Sequence, residues 1–230
     1  MNQCNSIKQS ILYGSSRSPF ARRVRLALLS RSIQFEWKEL SLSEIFPPSA
    51  ELLRVNPLGL IPAFESANGV CLGDSNEILT FLDENICGLW HSDTEIKTKL
   101  RRVSALAHGV MTYAVREFQG LHVVSPDGQY AEDNVALISR VLSAIDQSLN
   151  DTPLAERMSN ARTPQSGNVN AEWPSVISFS QAAWDVGVAL DYLDFRLDEK
   201  IQWRSHGYQS LAQLHNELEL SVFFSETKPK

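Results

Sequence analysis

Three hydroxyls crowd one bend near the start of the chain, in Leu12-Tyr13-Gly14-Ser15-Ser16-Arg17-Ser18-Pro19-Phe20. A short apolar run enters the bend, and a helical pattern leaves it, with Phe20, Val24, Ala27 and Leu28 at i, i+4, i+7 and i+8. Ser18 stands where an N-cap belongs and Pro19 where the first helical residue belongs. Such a bend aims a hydroxyl and unpaired backbone N–H groups at one point, a geometry that suits an anion. The same residues serve equally well as a plain helix cap. Arg17, Arg22, Arg23, Arg25 and Arg31 crowd around this helix. They read either as a solvated face or as a field drawing in a small anion.

Two further stretches carry unusual residues. Asn56-Pro57-Leu58-Gly59-Leu60-Ile61-Pro62-Ala63-Phe64 places a proline beside a strand pattern. Pro62 cannot donate to a ladder, so it belongs on an edge, at a strand's first residue or in a special turn. Asp74-Ser75-Asn76-Glu77 matches a capping box, with Asp74 as cap and Glu77 three residues on.

The elements that must hold these residues follow from periodicity. Residues 8–14 and 34–40 read as strands, the second alternating and half-buried, and 19–30 as a helix. Phe46-Pro47-Pro48 breaks the chain before a short helix at 50–55. Ala67-Asn68-Gly69 is a hairpin turn returning into Val70-Cys71-Leu72. Ile78, Leu79, Phe81, Leu82 and Ile86 form the apolar face of the helix after Asp74. The order βαβ-αββα makes one α/β layer. Beyond Gly88 the pattern is helical only, over 93–121, 129–150, 175–197 and 208–225. Ser178-Phe179-Ser180-Gln181 is another capping box, and Asp151 to Pro174 reads as a polar connection. The expected domains are 1–88, α/β, and 89–230, all-α.

Composition narrows the function. The 230 residues hold 21 Lys and Arg against 27 Asp and Glu, a net charge of −6. So acidic a chain is a poor general binder of nucleic acid or anionic membrane. Three cysteines, Cys4, Cys71 and Cys87, lack metal or redox spacing, so no metal is expected. With no apolar run near the roughly 20 residues of a bilayer span, and no signal-peptide core, a cytoplasmic protein is expected.

Leu12-Tyr13 through Ser18-Pro19-Phe20 to Arg23-Val24-Arg25, Asn56-Pro57-x-Gly-x-Ile61-Pro62 and Asp74-Ser75-x-x-Ile78, in that order, resemble the glutathione S-transferase family. Ala189-x-x-Tyr192-Leu193-Asp194-Phe195-Arg196 is similar to the helical half of bacterial members. The resemblance covers nearly the whole chain. It implies a thioredoxin-like N-terminal domain, an all-α C-terminal domain and a homodimer. It also implies a glutathione transferase of the detoxifying kind, acting on a small electrophile with glutathione as co-substrate. Ser18 falls where serine-type members carry the hydroxyl that activates the glutathione thiol, with Ser15 and Ser16 as rivals. No cysteine lies in the segment, which disfavours disulfide reduction. The family pattern implies a cis Ile61–Pro62 bond, with the Ile61 backbone pairing with the cysteinyl part of glutathione. It gives Asp74 and Ser75 the γ-glutamyl end. Leu60 departs from the pattern: many relatives carry Lys or Gln there, near the glycyl carboxylate.

A free thiol of pKa about 8.5 is only a few per cent thiolate at pH 7. Lowering that pKa by about two units requires roughly 2.7 kcal/mol of selective stabilisation of the anion. A hydrogen bond from Ser18 and the helix N-terminus can supply it without the serine taking a proton. The same thiolate would serve isomerisation or ether or halide cleavage, and a non-catalytic adaptor is the alternative of another class. The electrophile would meet helix 93–121, where His108, Met111, Tyr113 and Arg116 are candidate wall residues, although such residues at helical spacing more often belong to a core.

Overall fold

The computed structural model describes residues 10–86, 89–121, 133–150 and 179–230. Strand β1 (Ser10–Gly14) runs parallel to β2 (Phe35–Glu39) and antiparallel to β3 (Ala63–Glu65), which pairs with β4 (Cys71–Leu72). The sheet order is β2-β1-β3-β4. Between the strands lie α1 (Pro19–Ser30), α2 (Leu42–Ile45) and α3 (Ala50–Val55), and α4 (Ser75–Ile86) follows β4. This is the mixed sheet and helix order of a thioredoxin-like domain, as expected; only α2, a single turn opened by a Ser41–Glu44 capping box, was not foreseen.

Alternation along the strands builds two cores. Leu12 and Phe64 point to one face, where Val24, Ala27 and Leu28 of α1 meet Ile78, Leu79 and Leu82 of α4. Tyr13 and Ala63 point to the other, covered by Ile45 of α2 and Leu52 and Val55 of α3. The period of two puts neighbouring residues of one strand into different layers. Gly14 ends β1 because any side chain there is excluded. A Cβ would lie 2.7 Å from both Ala21 Cβ and the Trp37 ring.

By its internal contacts the chain divides into two units. The first unit holds the sheet, α1 to α4 and the C-terminal Val222–Lys230. The second holds α5 (Thr94–Phe118), α6 (Asn134–Leu149), α7 (Gln181–Leu197), a 3-10 turn (Trp203–Ser205) and α8 (Gln209–Glu219). Here α7 is buried continuously from Gln181 to Leu193, the central helix around which α5 and α8 pack. Met111 is fully buried in this unit, a core residue on α5. None of the described helices is long and apolar enough to cross a membrane.

Several boundaries differ from the expected ones. The helix expected at 208–225 is two helices, α8 and α9 (Val222–Glu226), and α9 belongs to the first unit. The amides of Leu220 and Ser221 bond three residues back, to Glu217 and Leu218, which tightens and closes α8. Exposed Leu220 and Val222 show that no apolar face runs through the junction. Helix α7 is capped by Ser180, whose Oγ accepts from Ala183 N–H, rather than by Ser178. Helix α5 is capped by Asp93 and ends before Gly120, which takes φ 68°. Ser178, the Asp151–Pro174 connection, residues 129–132, Cys4 and Cys87 lie outside the described residues. Cys71 is exposed on β4.

Candidate functional site

Three separate stretches leave the sheet at one end. The last registered pair between β1 and β3 is Tyr13↔Ala63, and between β3 and β4 it is Phe64↔Leu72. The residues just past these pairs are Gly14, Pro62 and, after Gly73, Asp74. Asn56, buried in the loop before β3, ties this end together. Its Nδ2 donates to Leu60 O at 2.7 Å and to Gly73 O at 3.2 Å, while its Oδ1 accepts from Leu58 N–H at 3.1 Å. Sequence reading gave Asn56 no role, because its partners lie four and seventeen residues away, in the loop before β3 and just after β4. The Ile61–Pro62 bond is cis, as the motif predicts, and so is Phe46–Pro47, which was not foreseen.

The three hydroxyls of the bend are engaged differently. Ser18 is the N-cap of α1, and its Oγ accepts from Ala21 N–H at 3.2 Å. Capping uses a lone pair, so the hydroxyl proton is left to donate elsewhere. Ser16 donates both its N–H and its hydroxyl to Glu39 Oε1, at 2.8 and 3.1 Å. Its proton is committed to a carboxylate. Glu39 also accepts from Trp37 Nε1 at 3.0 Å and so pins the bend to β2. Ser15 lies near Arg17 N–H with its Oγ at 3.4 Å, and its carbonyl accepts from Ser18 N–H. Of the three, Ser18 is the one whose oxygen is fixed on the first turn of α1.

Asp74 caps α4, its Oδ1 accepting from the amides of Asn76 at 2.7 Å and Glu77 at 3.3 Å. Ser75 is buried, while Asp74 is exposed. Of the five arginines that read either as a solvated face or as a field drawing in an anion, Arg17 is exposed and Arg25 and Arg31 are half-buried, but two are neither solvated nor open. Arg22 and Arg23 are 3% and 1% exposed. Arg22 donates to Phe224 O and Thr227 Oγ1 of the C-terminal segment, at 2.9 and 3.2 Å, and lies 4.3 Å from the centre of the Phe224 ring. Arg23 donates to Ser75 Oγ at 3.1 Å and to Asn76 Oδ1 at 2.7 Å. Exposed Arg17 donates to Lys230 O at 3.1 Å.

Two other polar clusters do different work. On the opposite face of the sheet, Tyr13 donates towards Glu51 and Glu65 at 3.4 and 3.3 Å, and Arg54 forks onto Glu65. Burial, then the two carboxylates, push the Tyr13 hydroxyl up to about 12, so it stays protonated at neutral pH. An open cavity of about 390 Å³ beside it is lined by this cluster and by the hairpin turn, not by Ser18, Ile61, Pro62, Asp74 or Ser75. In the second unit, one carboxylate oxygen each of Asp191 and Asp194 and a ring nitrogen of His215 lie within 4.8 Å of one another. His215 Nε2 is 2.7 Å from Asp191 Oδ1, and Asp194 is held by Trp203 Nε1 and Arg204, each at 2.6 Å. With a guanidinium on one of its carboxylates, the group works as a helix-to-helix strut.

Comparison with known proteins bears on the same residues. A sequence model described as the glutathione S-transferase N-terminal domain matches residues 17–85, a span holding Ser18, Ile61, Pro62, Asp74 and Ser75 but neither Ser15 nor Ser16. The uncharacterised GST-like protein YibF of Escherichia coli is 30% identical over 131 residues, 54% of this chain and 60% of that one. A maleylacetoacetate isomerase of Dictyostelium discoideum is 29% identical over 131 residues, 55% of this chain and 57% of that one. Both alignments span less than two thirds of the relative's own length. Over 96% of this chain and 100% of the other, the structure resembles a glutathione S-transferase of Methylobacillus flagellatus solved with glutathione bound. The TM-score is 0.64 and the identity 27%.

Proposed function

We infer that this chain, a member of the glutathione S-transferase family, binds glutathione at the sheet end formed by Ser18, Ile61–Pro62 and Asp74–Ser75. The thiolate then attacks a small electrophile. The observation that carries this reading is the strand register, which makes three motifs remote in sequence leave the sheet together. Ser18 donates its hydroxyl proton to the thiolate while its oxygen remains the cap of α1. Ser75 and the first amides of α4 hold the γ-glutamyl carboxylate, and Asp74 accepts from the ammonium. The Ile61 backbone pairs with the cysteinyl backbone by strand addition. In conjugation the sulfur forms a bond to the electrophilic carbon, and the leaving group departs with its electron pair.

A second reading is favoured by the similarity to a maleylacetoacetate isomerase. In it the same thiolate adds to a conjugated double bond, rotation follows, and the sulfur leaves with the proton balance unchanged. Parallel assays on an aromatic halide and on a cis-enoyl diketo acid separate the two readings. Calorimetry tests what they share. Wild type should bind glutathione, and Ser75→Ala should weaken binding by about 1–3 kcal/mol, as for a hydrogen bond to a charged group. Global stability should fall less, because Asp74 is the cap. Unchanged affinity would reduce Ser75 to a structural role, and no binding to wild type at millimolar glutathione would end the reading.

The proposed assembly is a homodimer of this 25.8 kDa chain, on the family resemblance. Light scattering at micromolar concentration should give twice the chain mass; a monomer mass would contradict the assignment.

A further inference from the structure

Arg23 sits one turn into α1, and its guanidinium is almost wholly shielded from water, with the residue 1% exposed. One nitrogen, Nη1, donates to Ser75 Oγ at 3.1 Å and to Asn76 Oδ1 at 2.7 Å. The Asn76 amide in turn donates to Asp74 Oδ1 at 2.7 Å. One buried cation is therefore linked to both members of the Asp74-Ser75 pair, directly to one and through Asn76 to the other.

We propose that Arg23 is a positioning residue for recognition of the ligand's γ-glutamyl carboxylate, acting through Ser75. The proposal rests on the reading of Ser75 as a glutathione contact. A guanidinium has donors and no acceptor, so Ser75 Oγ can only accept from it. The serine proton is thereby turned away from Arg23 and made available to a carboxylate. Donation from a cation to the oxygen also polarises the O–H bond, and chains of hydrogen bonds strengthen one another in this way. Arg23's positive charge lies behind the hydroxyl, in surroundings where Coulomb attraction is screened less than in water. A lysine retains the charge but carries it on a flexible stem, without the rigid planar guanidinium that fixes Nη1 between Ser75 and Asn76.

Two probes test this: glutathione, and γ-aminobutyryl-cysteinylglycine, which is glutathione without the α-carboxylate. Wild type should prefer glutathione by about 10- to 100-fold, the scale of a hydrogen bond to a charged group. Arg23→Gln should bring the two affinities to within about threefold by weakening glutathione alone, with Arg23→Lys in between. Melting curves of each variant establish that it is folded. Should Arg23→Gln not fold, the comparison passes to Arg23→Lys and to Asn76→Ala. The latter keeps the Arg23–Ser75 bond and should keep most of the preference. An undiminished preference in folded Arg23→Gln, or in Arg23→Lys where Gln does not fold, overturns the proposal. Equal weakening of both ligands overturns it too, since that is the mark of general structural damage. A wild type that binds both probes equally instead overturns the reading of Ser75 on which the proposal rests.

Discussion

Replacing Ser18 with Ala should lower turnover at pH 7 by roughly 10- to 100-fold, the equivalent of losing about 1.5–3 kcal/mol of hydrogen bonding to an anion. The sign follows from which form the hydroxyl favours. A donor stabilises the thiolate and holds the bound thiol's pKa below its free value, so removing the donor raises that pKa. Activity should then fall most below the free thiol pKa of about 8.5 and recover as pH rises through it. Loss of the cap costs α1 about 1 kcal/mol and leaves the unit folded. Ser18→Asp separates the two roles. It caps as well as serine, but its charge repels a thiolate, so it should remain stable, lose turnover and shift the thiol titration upwards. Thiolate absorbance of the glutathione complex against pH measures this directly. An unshifted curve in both variants would move the role to Ser15, since the Ser16 proton is held by Glu39.

The second large effect concerns the far end of the chain. Phe224→Ala should destabilise the first unit by about 3–5 kcal/mol, the usual range for deleting a buried aromatic ring. Phe224 is fully buried, its ring lies 4.3 Å from the Arg22 guanidinium, and its carbonyl accepts from Arg22 Nη2 at 2.9 Å. Removing the ring opens a cavity beside a charge that was shielded by it. In a unit of this size the change is equivalent to a drop in melting temperature of more than about 10 °C. Val222→Ala, at a residue 65% exposed in the same segment, should change little. Hydrogen exchange resolved by segment provides the check: protection should fall in α1 and the sheet in Phe224→Ala. If only residues 222–230 lose protection, the C-terminal segment is an appendage rather than part of the first unit's core.

What could be read from the chain before folding was whatever is written within a few residues. The Ser18-Pro19 cap, the Asp74 cap and the alternation through Leu12 and Tyr13 depend on neighbours no more than four positions away, and each stands where the pattern put it. The strand and helix order of the first unit follows from the same short-range signals, and the unforeseen single turn of α2 has one as well in its Ser41–Glu44 capping box. Ser180 shows the limit even here: the Ser178–Gln181 capping box pointed two residues ahead of the serine whose Oγ accepts from Ala183 N–H.

Tertiary structure alone decided the partners. Arg22 and Arg23 are adjacent in sequence, yet one bonds to Thr227 across 205 residues and the other to Ser75 across 52. A run of arginines on a helix has the same local appearance whether it is solvated or buried, because arginine fits a helix either way and its burial is set by what packs over it. Asn56, whose amide joins Leu60 to Gly73, is silent in sequence for the same reason. The break between α8 and α9 is a further case. The chain leaves α8 at Leu220 and Ser221, and beyond the break Phe224 is buried against Arg22, a partner 202 residues away in the first unit. Local hydrogen bonds and side-chain periodicity are properties of a segment. The choice of a distant partner is a property of the closed chain, where burial and pairing are settled together.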